Sequence, residues 1–184
     1  MAEHKLKTPL TEKDIRKLKI GDKVLLSGTV YTARDAAHLR MIETIKKGKK
    51  LHFSLKNQVI YYSGPTPSRP GRIIGSAGPT TAGRMDSFTP KLLAKGLKGM
   101  IGKGKRGSEV IKALKKHKAV YFAAPGGAGA LLSHYIKSAK VIAYKELGTE
   151  AVRKLEIENF PLIVANDTFG GDIFEKGVKK WKKK

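Results

Sequence analysis

The sequence predicts an α/β domain whose mixed, partly parallel sheet is flanked by helices. In the second half, short apolar runs rich in β-branched and aromatic residues alternate with segments of helical periodicity. Ala119 to Ala124 and Leu162 to Ala165 are apolar throughout, as strands covered on both faces are. With 40% hydrophobic and 29% charged residues, the 184-residue chain can build one substantial core. A single domain over residues 1–175 and a loose lysine-rich tail over 176–184 are expected.

Taken in order, Thr11 is placed to cap a short helix, with Asp14 at its third position and Ile15, Leu18 and Ile20 near one face. Gly21-Asp22 turns the chain into a β-rich run, Val24 to Tyr31, which Ser27-Gly28 interrupts as a bulge or a break. Ala37, Met41 and Ile45 recur at four-residue spacing and predict an amphipathic helix over Arg34 to Lys46. Val59 to Tyr62 is a strand candidate. Pro65, Pro67, Pro70 and Pro79 then forbid regular structure from about 63 to 83, apart from a brief strand at Arg72 to Ile74. Beyond this stiffened loop the pattern predicts a helix over Ser87 to Lys95, a strand over Gly99 to Ile101 and a helix over Ser108 to His117. Then follow the Ala119 strand, a helix over Gly127 to Lys137, a strand over Lys140 to Tyr144, a short helix over Glu150 to Leu155 and the Leu162 strand. A largely parallel sheet in this half is the expectation.

No stretch reaches the roughly 18 apolar residues that span a bilayer, and Met1 to Leu10 carries no apolar leader core, so a soluble cytoplasmic protein with no membrane partner is expected. The chain has no cysteine, which excludes disulfides, thiolate nucleophiles and thiolate-held metal centres on its own residues. His4, His52, His117 and His134 lack metal-ligand spacing, and no metal site is expected. The formal charge of +23 invites a nucleic-acid reading, against which stand lysine-rich solvated faces, an acidic partner subunit and an anionic substrate.

Two segments concentrate chemistry. Gly75-Ser-Ala-Gly-Pro-Thr-Thr-Ala-Gly-Arg-Met-Asp86 combines small residues, which let backbone approach a ligand, with two hydroxyls and a guanidinium at the mouth of a helix. Backbone N–H groups and Arg84 there suit a carboxylate; the blander reading makes Thr80 or Thr81 an N-cap and leaves Arg84 on the surface. Thr32-Ala-Arg-Asp-Ala-Ala-His38 sets an arginine, a carboxylate and a histidine beside a strand end, where α/β proteins place ligands. Asp35 is positioned to orient His38 or Arg34 for proton transfer, or simply to offset the helix dipole beside a surface His38. Gly102-Lys-Gly-Lys-Arg-Gly107 is a basic glycine loop; its Gly104-x-x-Gly107 follows a strand candidate, unlike the helix-joining loop of a KH domain. Pro125-Gly-Gly-Ala-Gly129 lies between strand and helix but lacks the Lys-Ser/Thr of a phosphate loop.

In order along Leu10 to Phe174, the runs Gly-Thr-Val-Tyr-Thr-Ala-Arg-Asp-Ala-Ala-His, Tyr-Tyr-Ser-Gly-Pro-Thr-Pro, Ile-Gly-Ser-Ala-Gly-Pro-Thr-Thr-Ala-Gly-Arg-Met-Asp, Met-Ile-Gly-Lys-Gly, Glu-Leu-Gly-Thr-Glu-Ala and Asn-Asp-Thr-Phe-Gly-Gly-Asp resemble the β subunit, or C-terminal domain, of class I fumarate hydratases. The resemblance implies a swivelling β/β/α-type domain that closes over an α subunit. That partner would carry a [4Fe–4S] cluster on its own cysteines, with one iron acting as Lewis acid toward the substrate hydroxyl. It further implies that Arg34, Arg84 and Lys103 bind the carboxylates of a small dicarboxylate, that the backbone of Thr80, Thr81, Ala82 and Gly83 lines the site, and that Thr80 moves the C3 proton. Threonine is a poor base at its free pKa, so a relay, through His38 for instance, is part of that expectation. The related L-tartrate dehydratase β subunit carries cysteine where this chain has Ala33 and Ala37, which leans toward fumarate. The expected assembly is a hetero-oligomer, with a homodimer in isolation as the second arrangement. The alternatives are an L-tartrate dehydratase β subunit, a basic nucleic-acid-binding protein and an assembly subunit without catalytic residues.

Overall fold

The computed structural model describes residues 1–182, in which the chain runs β1 (Glu3–Lys7), α1 (Glu12–Arg16), β2 (Lys23–Thr32), α2 (Asp35–Lys46), β3 (Val59–Tyr61), α3 (Thr89–Ala94), β4 (Gly99–Gly102), α4 (Ser108–His117), β5 (Val120–Ala123), α5 (Gly129–Ser133), β6 (Ile136–Ala143), β7 (Val152–Asn166) and α6 (Ile173–Trp181). Strands β1 to β5 are mutually parallel in the order 1-2-3-4-5, and the long β7 runs antiparallel to β5, β6 and β2. Because β7 pairs with both β5 and β2, the strip β2-β3-β4-β5 is closed on itself by β7, leaving β1 and β6 as the outer strands.

The period of two along the short central strands divides the interior into two cores. Val59, Tyr61, Ile101, Val120 and Phe122 point toward Leu26, Val30, Leu155, Phe160 and Leu162 of β2 and β7. Their neighbours Ile60, Met100 and Tyr121 point the other way, against Met41 and Ile42 of α2, Leu92 and Leu93 of α3, and Val110 and Leu114 of α4. These central strands carry apolar side chains at successive positions because both of their faces are covered.

The α1 cap is the one expected: Thr11 Oγ1 accepts from Asp14 N at 3.3 Å, and the Asp14 carboxylate accepts from Thr11 N at 2.9 Å. The interruption at Ser27-Gly28 is a bulge, where the register of β2 against β7 shifts between Leu26 and Gly28. Gly28 has φ +100°, and a Cβ there would fall 3.1 Å from Thr8 O.

Several expectations are corrected. Glu150 to Leu155 is not a helix: a 3-10 segment, Lys145–Glu150, ends where β7 begins, and pairing with β2 and β6 overrides the helix propensity of Glu150-Ala-Val-Arg-Lys-Leu155. The sheet of the second half is antiparallel wherever β7 takes part. The helix expected over Gly127 to Lys137 is only Gly129–Ser133, since β6 already begins at Ile136. Arg72 to Ile74 pairs with no strand, and β1, unforeseen because its sequence is charged, is an edge strand for which one buried residue, Leu6, suffices. Lys176, Lys179 and Lys180 of the expected tail lie on α6, capped by Asp172, whose carboxylate accepts from Phe174 N; Lys183 and Lys184 lie outside the described residues.

Gly102 closes β4 with no room to spare. A Cβ there would lie 2.9 Å from Tyr62 Cδ2, 3.1 Å from Ala82 Cβ and 3.3 Å from Thr80 O. Gly102→Ala is therefore expected to lower stability by about 1–3 kcal/mol, as overpacking does, and to push the Thr80 turn outward. Chemical denaturation of variant and parent measures the first effect, and an unchanged midpoint would show that the turn yields without cost.

Candidate active site

Parallel strands deliver their C-terminal ends to one edge, and here β2, β3, β4 and β5 deliver Arg34, Gly64, Lys103 and Gly126. Arg34 is the N-cap of α2 and sits half-buried over the end of β3, where a Cβ on Gly64 would come 2.7 Å from Arg34 Nη1. Next to Lys103, a Cβ on Gly126 would come 3.6 Å from Lys103 Cδ. The glycines thus leave room for cationic side chains to lie across the strand ends.

The proline-stiffened loop crosses this edge and is pinned along its length. Ala77 N donates to Gly129 O at 3.0 Å, and a Cβ on Gly129 would lie 2.8 Å from Gly78 N, so backbone meets backbone there. Tyr61 Oη donates to Ala77 O at 2.5 Å. Thr80 N donates to Tyr62 O at 2.6 Å, Lys103 N to Thr80 O at 3.1 Å, and Ala82 N to Lys103 O at 2.8 Å, which extends the sheet by one parallel bridge, Thr81 to Lys103. The 3-10 turn Ala82–Met85 then carries Arg84 away from the sheet. Thr81 precedes that turn without capping it through its side chain, and the buried Ala82 presents backbone only.

Arg84 closes the circuit. Its Nε donates to Asp35 Oδ1 at 3.0 Å and its Nη2 lies 2.9 Å from Asp35 Oδ2, an ion pair carried by one hydrogen bond. The same Asp35 Oδ2 is 3.9 Å from Arg34 Nε, so two guanidiniums flank one carboxylate. Glu150 stands on the other side of Arg34: Glu150 Oε1 is 3.6 Å from Arg34 Nη2, while Oε2 accepts from Ala36 N at 2.9 Å in the first turn of α2. One continuous turn, Thr80 to Arg84, therefore joins Lys103 at one end to Asp35 and Arg34 at the other.

His38 is placed otherwise than a surface reading expects. It is fully buried on α2, 5.4 Å from the Tyr62 ring and 5.9 Å from Phe88, and its Nδ1 lies 2.8 Å from Arg34 O. Since a carbonyl only accepts, Nδ1 carries the proton, and Nε2 is left as a buried acceptor without a partner. Burial pushes the imidazole down to about 4, against the opposing pull of the Arg34 carbonyl. The ring holds the backbone that carries Arg34, and Asp35 orients Arg84 rather than His38.

A pH dependence follows with a definite sign. The folded-state pKa lies below the ordinary 6.5, so on acidification the unfolded chain takes up the proton first. The contribution of the neutral ring is complete above about pH 6.5 and declines toward pH 4, by about 3 kcal/mol over the window. His38→Asn, which keeps a donor for Arg34 O, is expected to flatten that limb in denaturation midpoints measured between pH 4 and 7. A limb of undiminished slope would place the titration elsewhere.

Three side chains that the sequence reading passed over serve the site. Glu150 lay in the Glu-Leu-Gly-Thr-Glu-Ala run with no role attached to it. Asp86, which closes the Gly75 to Asp86 segment, and Arg106, in the basic glycine loop, had no role attached either and form an ion pair at 2.7 Å. Spacing gives no sign of either contact, because each joins residues that only the sheet brings together.

No three His, Asp or Glu side chains gather as metal ligands among the described residues, and the chain holds no cysteine, so its own residues do not fit an iron–sulfur cluster. No described helix is long and apolar enough to cross a membrane.

Comparison with known proteins matches residues 1–177 to the family described as fumarase C-terminus. A Methanocaldococcus jannaschii protein provisionally named L(+)-tartrate dehydratase subunit beta is 42% identical over 177 residues, covering 93% of this chain and 91% of that one. The aerobic class I fumarate hydratase of Escherichia coli K12 is 40% identical over 159 residues, covering 85% of this chain but 29% of its own length. Fumarate hydratase 1, mitochondrial, of Leishmania major is 39% identical over 175 residues, covering 93% of this chain and 32% of its own length. The chain thus spans about a third of those fumarate hydratases and nearly all of the tartrate dehydratase subunit.

Proposed function

The chain belongs to the fumarase C-terminus family, and from that premise we propose that it is the β subunit of a hydro-lyase adding water reversibly to fumarate to give (S)-malate. The observation that carries this reading is the Asp35 carboxylate lying between Arg84 and Arg34. A carboxylate of the protein flanked by two guanidiniums supports a site for one carboxylate of a dicarboxylate, with Lys103 at the far end of the same turn for the second. In this reading Arg84 and Arg34 hold one substrate carboxylate, Lys103 the other, and the backbone of Thr80 to Gly83 lines the space between them. Thr80, its backbone fixed on both sides, presents a hydroxyl to the C3 proton. His38 secures the carbonyl of Arg34 and takes no part in proton transfer.

The chain acts as a swivelling β/β/α-type domain over residues 1–175 that closes on an α subunit in the cytoplasm. A [4Fe–4S] cluster, for which this chain has no thiolates, belongs to that α subunit. The basic surface fits an acidic partner and a dianionic substrate.

A second reading, an L-tartrate dehydratase β subunit, is favoured by the relative that matches over nearly its whole length. Both substrates are dicarboxylates and ask the same of Arg34, Arg84 and Lys103. The deciding experiment expresses this chain with its cysteine-bearing α subunit under anaerobic conditions and follows the ultraviolet absorbance of fumarate, with L-tartrate in parallel. Hydration that needs both chains supports the first reading, and turnover of tartrate alone selects the second. Absence of both, with salt-sensitive binding to DNA, returns the basic surface to a nucleic-acid role.

A further inference from the structure

Arg106 has no exposed side-chain surface, and none of its hydrogen bonds goes to a side chain proposed to hold substrate. Its Nε donates to Asp86 Oδ1 at 2.7 Å, its Nη1 to Tyr62 Oη at 3.2 Å and its Nη2 to Thr89 Oγ1 at 2.7 Å. Each acceptor belongs to a different part of the site. Asp86 ends the turn that carries Thr80 to Arg84, Thr89 opens α3, and Tyr62 follows β3, where its carbonyl receives Thr80 N. Two of the acceptors meet, Tyr62 Oη lying 3.3 Å from Thr89 Oγ1, and the others are tied to the same segments: Thr89 Oγ1 donates to Met85 O at 2.8 Å, and Asp86 Oδ2 accepts from Gly107 N at 2.6 Å. The guanidinium lies against two rings, 5.4 Å from the centre of Tyr62 and 5.1 Å from that of Tyr121, and Tyr121 Oη donates to Gly104 O at 2.9 Å. Arg106 thus pins the C-terminal end of the loop that carries Lys103 against the turn that carries Thr80, and packs on the Tyr121 ring whose hydroxyl holds Gly104 in the same loop.

Stability alone does not call for this arrangement. Replacing a whole buried ion pair by well-packed apolar side chains is often neutral or better, although removing one partner alone leaves the other's charge unpaired and destabilises the fold. What the apolar side chain lacks is direction: the planar fork fixes three acceptors at set angles and so fixes the loops to which they belong.

We propose that Arg106, braced by Asp86, is a positioning residue that sets Lys103 and Thr80 in register with each other. The proposal deepens the function given above and rests on it for its catalytic arm. In the assembled αβ enzyme, Arg106→Met leaves the Asp86 carboxylate unpaired and is expected to lower the thermal midpoint, while kcat/KM for fumarate, measured well below that midpoint, falls about 100-fold, the scale on which small misplacements act. Asp86→Asn, which leaves the guanidinium in place, is expected to show a smaller loss in the same direction. Hydrogen exchange of the assembled complex supplies a readout that a merely structural role would not move. Amides over 80–86 and 102–107 exchange at least ten-fold faster in Arg106→Met, while those of β2 and β7 keep their protection. Unchanged kcat/KM in Arg106→Met, or acceleration of exchange spread evenly over the sheet, overturns the proposal. Should the parent complex turn over neither fumarate nor L-tartrate, the function has failed and the exchange arm alone decides: local acceleration sustains the clamp, and its absence removes it.

Discussion

Arg84→Ala is expected to lower kcat/KM for fumarate by about 10² to 10³ in an assembled complex whose stability is nearly that of the parent, the loss seen when one donor to developing charge is removed. The two halves of this expectation have different origins. About half of the Arg84 side chain is exposed, and its protein partner, Asp35, is itself about one-third exposed, so their pair is worth little to folding. In the proposed function the same guanidinium faces a substrate carboxylate away from bulk water, where truncation leaves a charged group unpaired. Arg84→Lys restores the charge but not the two parallel donors, and is expected to recover only part of the loss. Steady-state kinetics on the three complexes, with thermal melts alongside, make the measurement. Normal turnover by an assembled Arg84→Ala complex would remove Arg84 from the site.

Asp35 sharpens this expectation. It gives Arg84 a counter-ion in the absence of substrate and holds the fork where a dicarboxylate would meet it. A ligand carboxylate arriving between Arg84 and Arg34 must share these donors with Asp35 or displace it. Five N–H donors on each guanidinium allow sharing, with Arg34 already drawn toward Glu150 on its far side. The acidic side chains at this edge therefore orient the cations without cancelling them, and the glycines at 64 and 126 keep the space in front of them open.

What could be read from the sequence divides along a physical line. Local signals carried through to the structure: the Thr11 box, the Ser27-Gly28 bulge, the apolar face of α2 and the buried strands after Gly99. Each rests on a side chain or backbone preference that acts within a few residues. The misses are non-local. Glu150 to Leu155 has helical composition, and only its position between β2 and β6 makes it strand. His38 at the start of an amphipathic helix reads equally as surface or site; the Tyr62 and Phe88 rings that bury it come from elements 24 and 50 residues away. Arg106 and Asp86, 20 residues apart, had no signal at all, since a lysine-arginine pair in a glycine loop looks the same whether solvated or buried.

Thr80→Val is expected to reduce kcat by about 10² to 10³ with little change in KM, within the range that a positioned proton-transfer group supplies. Valine matches threonine in shape, and the main chain at position 80 is secured independently of the side chain, by Tyr62 O on one side and Lys103 N on the other. The substitution therefore removes the hydroxyl and leaves the turn where it was. Thr80→Ser, which keeps the hydroxyl at the cost of a methyl group, is expected to hold kcat within about ten-fold of the parent. The pH profile carries the companion test. His38 stays neutral throughout the range in which the enzyme would be assayed, so a limb in kcat near pH 6 to 7 that vanishes in His38→Asn would return proton transfer to the histidine. Equal loss in Thr80→Val and Thr80→Ser would point instead to packing at the turn, and wild-type kcat in Thr80→Val would leave Arg34, Arg84 and Lys103 as a clamp whose base comes from the α subunit.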